Sequence, residues 1–161
     1  MQKRKGPALR KSNGFTLIEI LVVIAIIAIL AIVVFVALNP AKRIADSKDS
    51  RRSTDVGSIL TAVHSYIVDN RGALPTGLSN GMAESQLGTA ATGAAIATGG
   101  CAVTTAAALD LSTPLATYLK SMPLDPDGTA ALTQYSIIVD DNGIITVRAC
   151  GAENTTISSS R

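Results

Sequence analysis

The chain has 161 residues, 47% of them hydrophobic and only 3% aromatic, with a formal net charge of +2. A chain of this length accommodates one membrane segment and one modest domain, which excludes a large multidomain protein. The low aromatic content and small net charge argue against a protein that binds nucleic acid, so we interpret Arg51 and Arg52 as part of a solvated helix face.

The charge is unevenly distributed between the N-terminus and the rest of the chain. The residues before Phe15 include no acidic side chain and five basic ones, Lys3, Arg4, Lys5, Arg10 and Lys11. From Phe15 onward nine basic residues stand against twelve acidic ones, a net charge of −3. The positive-inside tendency therefore predicts a cytoplasmic N-terminus, a single crossing of the membrane, and export of everything after Leu38.

An uninterrupted apolar run follows the basic segment. No polar side chain occurs from Ile20 to Leu38, and the preceding residues from Phe15 complete the roughly 20 residues that a transmembrane helix needs. A secretory signal peptide fits poorly, because its apolar region is about 7–15 residues long and ends at a small-x-small cleavage site. An uncleaved signal anchor is the alternative, but it explains neither the sequence Gly-Phe-Thr at 14–16 nor the carboxylate of Glu19.

Helical periodicity continues beyond Pro40. Apolar residues fall on one helical face at the i, i+3, i+4, i+7 spacing: Val56, Ile59, Leu60, Val63, Tyr66 and Ile67. We predict one long helix from about Phe15 to Asn70, loosened or kinked near Asn39 and Pro40, with a transmembrane part at 15–38 and an amphipathic part at 39–70. Gly72 and Pro75 then end it.

Residues 71–161 are predicted to form an exported globular head. Its segment 76–113 is rich in Thr, Gly, Ala and Ser, and we interpret it as a variable, irregular surface loop. A phosphate-binding loop is disfavoured, because no Gly-Lys-Ser/Thr sequence follows these glycines. The sequence STPLATYLKSM, which begins at Ser112, predicts a short helix.

The C-terminal part of the head gives the clearest β signal. The sequence QYSIIVDDNGIITVRAC predicts a β-hairpin, and its Asn142-Gly143 pair favours a type I′ turn. Neither strand alternates cleanly, so the pattern does not indicate which face is buried. The Ser-rich tail after Gly151 is predicted to be frayed.

The two cysteines, Cys101 and Cys150, lie in the part of the chain that is predicted to be exported. Thiols are usually oxidised outside the cytoplasm, and only one intramolecular pairing exists, so we predict a disulfide. Two unrelated buried thiols are the less favoured alternative. A metal site is disfavoured because two cysteines and the distant His64 do not have a ligand spacing.

The sequence Gly-Phe-Thr-Leu-Ile-Glu at 14–19 resembles the class III signal, the prepilin cleavage and N-methylation motif of type IV pilins and type II secretion pseudopilins. Further parts of the chain follow one another in the order seen in such proteins. They are a basic leader that ends in Gly, an apolar helix, the segments RRSTDVGSILTAVHSYIVDNRGALP and YLKSMPLDP, and a hairpin. The resemblance implies an α+β, type IV pilin-like fold, in which a long N-terminal helix packs on a small antiparallel sheet.

The resemblance also implies roles for residues at the start of the helix. A prepilin peptidase is expected to cut between Gly14 and Phe15, which removes the leader 1–14, and to methylate the new amine of Phe15. Glu19 is expected to act in assembly, by facing the Phe15 amine of a neighbouring subunit. The implied partners are the peptidase, identical or related pilin subunits, the cytoplasmic membrane and a pilus assembly platform. The implied product is an extracellular or periplasmic filament.

Two rivals to the pilin interpretation stay open at this stage. The sequence Met-Pro-Leu-Asp-Pro at 122–126 favours a major-type pseudopilin of type II secretion, whereas the two cysteines and the long segment 76–113 favour a pilus subunit. A signal-anchored extracytoplasmic binding protein is the rival from another class. We find no catalytic constellation, so the sequence predicts a structural protein and not an enzyme.

Calcium is the one cofactor that the sequence raises. Hard cations require several oxygen ligands, and four carboxylates lie in the C-terminal half of the head: Asp125, Asp127, Asp140 and Asp141. Turn formation explains each of them without a metal. We therefore predict no metal and no other cofactor, with calcium at these four residues as the alternative.

Overall fold

The computed structural model describes residues 14–161. The described chain divides into two compact units, with the boundary between Pro40 and Ala41. The basic side chains of the predicted leader lie outside the described residues. The predicted α+β class is confirmed by a long apolar helix, a second helix and a four-stranded antiparallel sheet.

The first helix, α1, spans Leu17–Leu38 and is 22 residues long. Its length of about 33 Å matches the roughly 30 Å hydrocarbon core of a bilayer. None of its side chains is buried in the structure, and Glu19 is its only charged residue. The helix is therefore long and apolar enough to cross a membrane.

The second helix, α2, spans Pro40–Asp69, so the structure has two helices in place of the predicted kinked one. Asn39 separates them in the left-handed conformation, with φ 42° and ψ 73°, which asparagine tolerates better than most residues. Pro40 begins α2. At the first helical position the missing N–H of proline costs no hydrogen bond, so the residue expected to kink a helix starts one instead.

The C-terminal half of α2 packs on the sheet and forms one continuous core with it. The helix contributes Val56, Ile59, Leu60, Ala62 and Val63, and the sheet contributes Tyr135, Ile137, Val139, Ile145, Val147 and Ala149. The helix ends as predicted near Gly72, whose φ is 91°. The N–H of Gly72 donates to the carbonyl of Ile67 at 2.8 Å, as in a Schellman cap.

The sheet has the strand order β1-β2-β3-β4, and every neighbouring pair is antiparallel. Its strands are β1 Met82–Gln86, β2 Tyr135–Val139, β3 Ile145–Ala149 and β4 Ile157–Ser160. In the central pair Tyr135 lies opposite Ala149 and Val139 lies opposite Ile145. Every second residue of β3 is buried, whereas β2 is covered on both faces over most of its length, which explains its poor alternation.

The two outer strands lie where no strand was predicted. Strand β1 falls within the segment 76–113 that was expected to be an irregular loop, and β4 falls within the tail that was expected to be frayed. Their sequences, MAESQ and ISSS, carry almost no apolar periodicity. These strands form through backbone hydrogen bonds to β2 and β3. A sequence pattern based on side chains does not predict such bonds.

Two smaller predictions about the head are wrong in detail. Residues 112–118 form successive turns and not a helix. The hairpin is present, but its connection is five residues long and only Gly143 has a positive φ, so the turn is not of type I′. Asp140 organises the connection by accepting the N–H groups of Asn142 and Ile144 at 2.9 and 2.7 Å.

Cys101 and Cys150 are joined by a disulfide, which links the segment 76–113 to the residue directly after β3. We expect a non-reduced digest to give the linked peptides by mass spectrometry. The Cys101→Ser variant should lose roughly 4 kcal/mol of unfolding free energy, because the link closes a loop with a sequence separation of 49. Two freely alkylated thiols in the exported protein would contradict the pairing.

Candidate functional site

The predicted processing junction lies in extended backbone just before α1. Gly14 and Phe15 are exposed, and the side chain of Phe15 is 85% accessible. A Cβ atom added to Gly14 would have no atom within 4 Å. The peptide bond between these residues is therefore open to a protease, and the described part of the chain gives no steric reason for a glycine at position 14.

Thr16 and Glu19 form a capping box at the start of α1. The Thr16 hydroxyl accepts the N–H of Glu19 at 3.3 Å, and the Glu19 carboxylate accepts the N–H of Thr16 at 2.7 Å. The same carboxylate oxygen, Oε2, also accepts the Thr16 hydroxyl at 2.9 Å. The site therefore holds the only carboxylate of α1 at the positive end of the helix dipole.

Thr16, for which no role was predicted, is the partner of Glu19. The sequence contains the pattern that predicts this partner. Thr-Leu-Ile-Glu has the Ser/Thr-x-x-Glu pattern of a capping box and lies directly before an apolar run. The structure thus brings together Gly14, Phe15, Thr16 and Glu19 at the start of α1. It places the other predicted site residues, the two cysteines and the four aspartates, in the head.

A buried ionic cluster joins α2 to the segments around residues 125 and 153. Arg52 is 0% exposed and Asp125 is 3% exposed. The guanidinium donates two hydrogen bonds to Asp125, from Nε to Oδ2 at 2.6 Å and from Nη2 to Oδ1 at 3.0 Å. It also donates to Asp49 at 2.9 Å and to Glu153 at 3.3 Å.

The interpretation of Arg52 as part of a solvated face is therefore wrong, whereas its neighbour Arg51 is exposed as expected. The hydrogen bonds to Asp125 raise the pKa of the Arg52 guanidinium above its ordinary value. At the rim of the cluster the Lys48 ammonium donates to Asp127 at 2.9 Å, and this bond lowers the pKa of that carboxyl. The cluster fixes the position of α2 on the head.

The four carboxylates considered for calcium are not brought together. Asp125 is bound to Arg52 and Asp127 to Lys48, at the end of the sheet where β2 begins. Asp140 accepts amide groups of the hairpin connection at the other end, where Asp141 also lies. In residues 14–161 no three His, Cys, Asp or Glu side chains are placed so that they could hold a metal ion.

In the comparison with protein families, the chain matches the Prokaryotic N-terminal methylation motif over residues 9–35. The chain carries the signal motif of type IV pilins and pseudopilins. No curated protein and no solved structure matches the chain. The match includes Gly14, Phe15, Thr16 and Glu19 but no part of the head.

The signal motif supports a type IV pilin-like or pseudopilin precursor, which is a structural type of protein. It implies processing by a prepilin peptidase and assembly into pilus-like filaments. Together with the apolar helix α1 it indicates a protein anchored in a membrane.

Proposed function

We propose that the chain is a prepilin whose processed form is a structural subunit of a type IV pilus-like filament. The observation that carries the proposal is the helix α1, whose 22 residues include one charged side chain and none that is buried. Such a helix is stable only in a bilayer or among other apolar helices. A subunit that is first inserted in the membrane and then packs its helix in a filament core has α1 in one of these environments at each step.

The location of Glu19 supports assembly through α1. A carboxylate in a membrane helix is costly unless it lies near an interface or has a partner. The capping box with Thr16 supplies hydrogen bonds to the carboxylate in the single subunit, but it supplies no positive charge. Cleavage before Phe15 creates a cation, the new amine, which a neighbouring subunit at the correct axial offset would present to Glu19.

The same proposal assigns a role to each part of the chain. Residues 1–14 form the leader that is removed in the cytoplasm. Residues 15–38 form the membrane anchor and later the filament core, and residues 39–70 form the amphipathic helical segment. Residues 71–161 form the exported head on the outside of the filament. The assembly partners are further copies of this chain or related subunits, held at an assembly platform in the cytoplasmic membrane.

A type II secretion pseudopilin uses the same motif and helix, so the two functions differ in what the filament does. Deleting the encoding gene separates them: a pilus subunit is needed for surface fibres, whereas a pseudopilin is needed for release of secreted hydrolases. A signal-anchored binding protein is distinguished by a different measurement. If the chain were such a protein, its solubilised membrane fraction would contain no long filaments that pellet.

The first test of the proposal is the N-terminus of the mature protein. We expect peptide mass spectrometry to find Phe15 with a methylated amine and no peptide from residues 1–14. The Gly14→Val variant should accumulate uncleaved, because a Cβ atom added at Gly14 has no atom of the described residues within 4 Å and the substitution is therefore expected to act on the peptidase. An intact leader in the membrane-resident wild-type protein would contradict the proposed function.

A further inference from the structure

An apolar pocket lies in the head, at the end of the sheet where β2 begins. It has a volume of about 300 Å³, and its walls include Leu111, Met122, Leu124 and Ala130. Thr133 completes one side, and its hydroxyl donates to the carbonyl of Leu87 at 2.7 Å, directly after β1. The volume is at the lower end of the range for ligand pockets, so the pocket has room for an aliphatic side chain.

An aliphatic side chain projects from the opposite end of the same sheet. Ile144 is 47% exposed and lies in the connection between β2 and β3. Its backbone is held in place, because its N–H donates to Asp140 Oδ1 at 2.7 Å and its carbonyl accepts the N–H of Asp140 at 3.0 Å. The other large exposed apolar side chains of Ala41–Arg161, those of Ile44 and Val68, lie on α2.

The charges beside the two features are complementary. Asp141 is exposed and lies three residues before Ile144 in the hairpin connection. Lys120 is exposed next to Ser121 on the pocket rim, and the Arg51 guanidinium donates to the carbonyl of Leu124 at 3.3 Å. One acidic residue, Asp110, also lines the pocket, and its carboxylate accepts the N–H of Ser112 at 2.8 Å.

We propose that Ile144 of one copy of the chain inserts into this pocket of the next copy, with Asp141 facing Lys120. The inference rests on the proposed function, since it concerns contacts between subunits of a filament. The subunits of the proposed filament are parallel, and the inserting residue and the pocket lie at opposite ends of β2, so the contact is heterologous. It leaves a free pocket on one copy and a free hairpin on the other. Such a contact extends along a fibre of parallel subunits and does not close into a dimer.

Cysteine cross-linking in filaments of the full chain tests the contact. The two native cysteines are bonded to each other, so they do not compete with new thiols. We expect the Ile144→Cys/Ser121→Cys variant to give a ladder of covalent dimers, trimers and longer species on non-reducing gels. The matched control, Val68→Cys/Ser121→Cys, should give no ladder, although the Val68 side chain is 77% exposed and therefore more accessible.

A charge exchange gives a second, independent measurement. Reversal of one charge, in Asp141→Lys or in Lys120→Asp, should lower the pelleted filament fraction by about two- to five-fold, the range for exposed ion pairs. The double exchange should restore it. The Ile144→Asp variant should lower it by about ten-fold or more, because a charged group would replace a buried aliphatic one.

The outcomes separate this contact from the proposed function. Wild-type filaments together with no ladder from the Ile144→Cys/Ser121→Cys variant, or with equal ladders from this variant and its control, overturn the contact and leave the filament function standing. Single charge reversals that the double exchange does not rescue overturn the Asp141–Lys120 pairing. A wild-type chain that forms no filaments contradicts the proposed function, and the inference falls with it.

Discussion

Filament assembly is expected to fall by a factor of about 100 or more in the Glu19→Val variant, while cleavage between Gly14 and Phe15 continues. The cut site is unchanged by this substitution, so the peptidase should still release the leader. In the filament, however, the Phe15 amine of a neighbour would be buried without its carboxylate, and loss of one member of a buried ion pair costs about 3–5 kcal/mol. The measurement is the amount of sheared or pelleted filament per cell, with the mature N-terminus checked by mass spectrometry.

The Glu19→Gln variant separates the charge of Glu19 from its capping function. Glutamine keeps an oxygen that accepts the N–H of Thr16, so the capping box and the start of α1 are retained. If the carboxylate pairs with an amine of a neighbouring subunit, the Gln variant should assemble as poorly as the Val variant. Normal fibres from the Gln variant would show that Glu19 serves only as a helix cap and would refute the proposed pairing.

The Arg52→Met variant is expected to lose about 3–5 kcal/mol of unfolding free energy. The substitution leaves Asp125, which is 3% exposed, without the guanidinium that donates to both of its oxygens. An unpaired buried carboxylate is more costly than either an intact pair or an apolar replacement of both partners. Urea unfolding of the full chain in detergent, followed by pulse proteolysis of the head, measures the change.

The neighbouring Arg51→Met variant is the matched control for Arg52→Met. The side chain of Arg51 is 60% exposed and its ion pair with Asp55 is 3.7 Å long. We expect a loss of at most about 1 kcal/mol, as for other exposed ion pairs. The double variant Arg52→Met/Asp125→Leu should recover most of the stability. Equal losses from the two single variants would contradict the buried pair as the main contribution.

The N-terminal part of the chain could be predicted from the sequence because its signals are local. A run of apolar residues fixes the length of α1, and the motif at 14–19 is recognised from adjacent residues. The hairpin is equally local, since β2 and β3 are neighbours along the chain with Gly143 between them. In each case the residues that determine the structure lie close together in sequence.

The cluster around Arg52 depended on contacts between residues far apart in sequence. Arg51 and Arg52 are adjacent and chemically identical, and only the packing of α2 determines that one is exposed while the other is buried beside Asp125. The spacing between Arg52 and Asp125 is 73 residues, so no local pattern indicated the pair. The same holds for β1 and β4, whose polar sequences become strands because β2 and β3 supply backbone partners.

The sequence by itself determined the anchor, the signal motif, the α+β class and the pairing of the only two cysteines. The tertiary structure alone decided which arginine is buried, which polar segments complete the sheet, and that an apolar pocket and Ile144 lie at opposite ends of the head. The physical reason is the range of the interactions. Helix periodicity and capping act within a few residues, whereas burial, strand pairing and ion pairing depend on which distant segments the fold brings into contact.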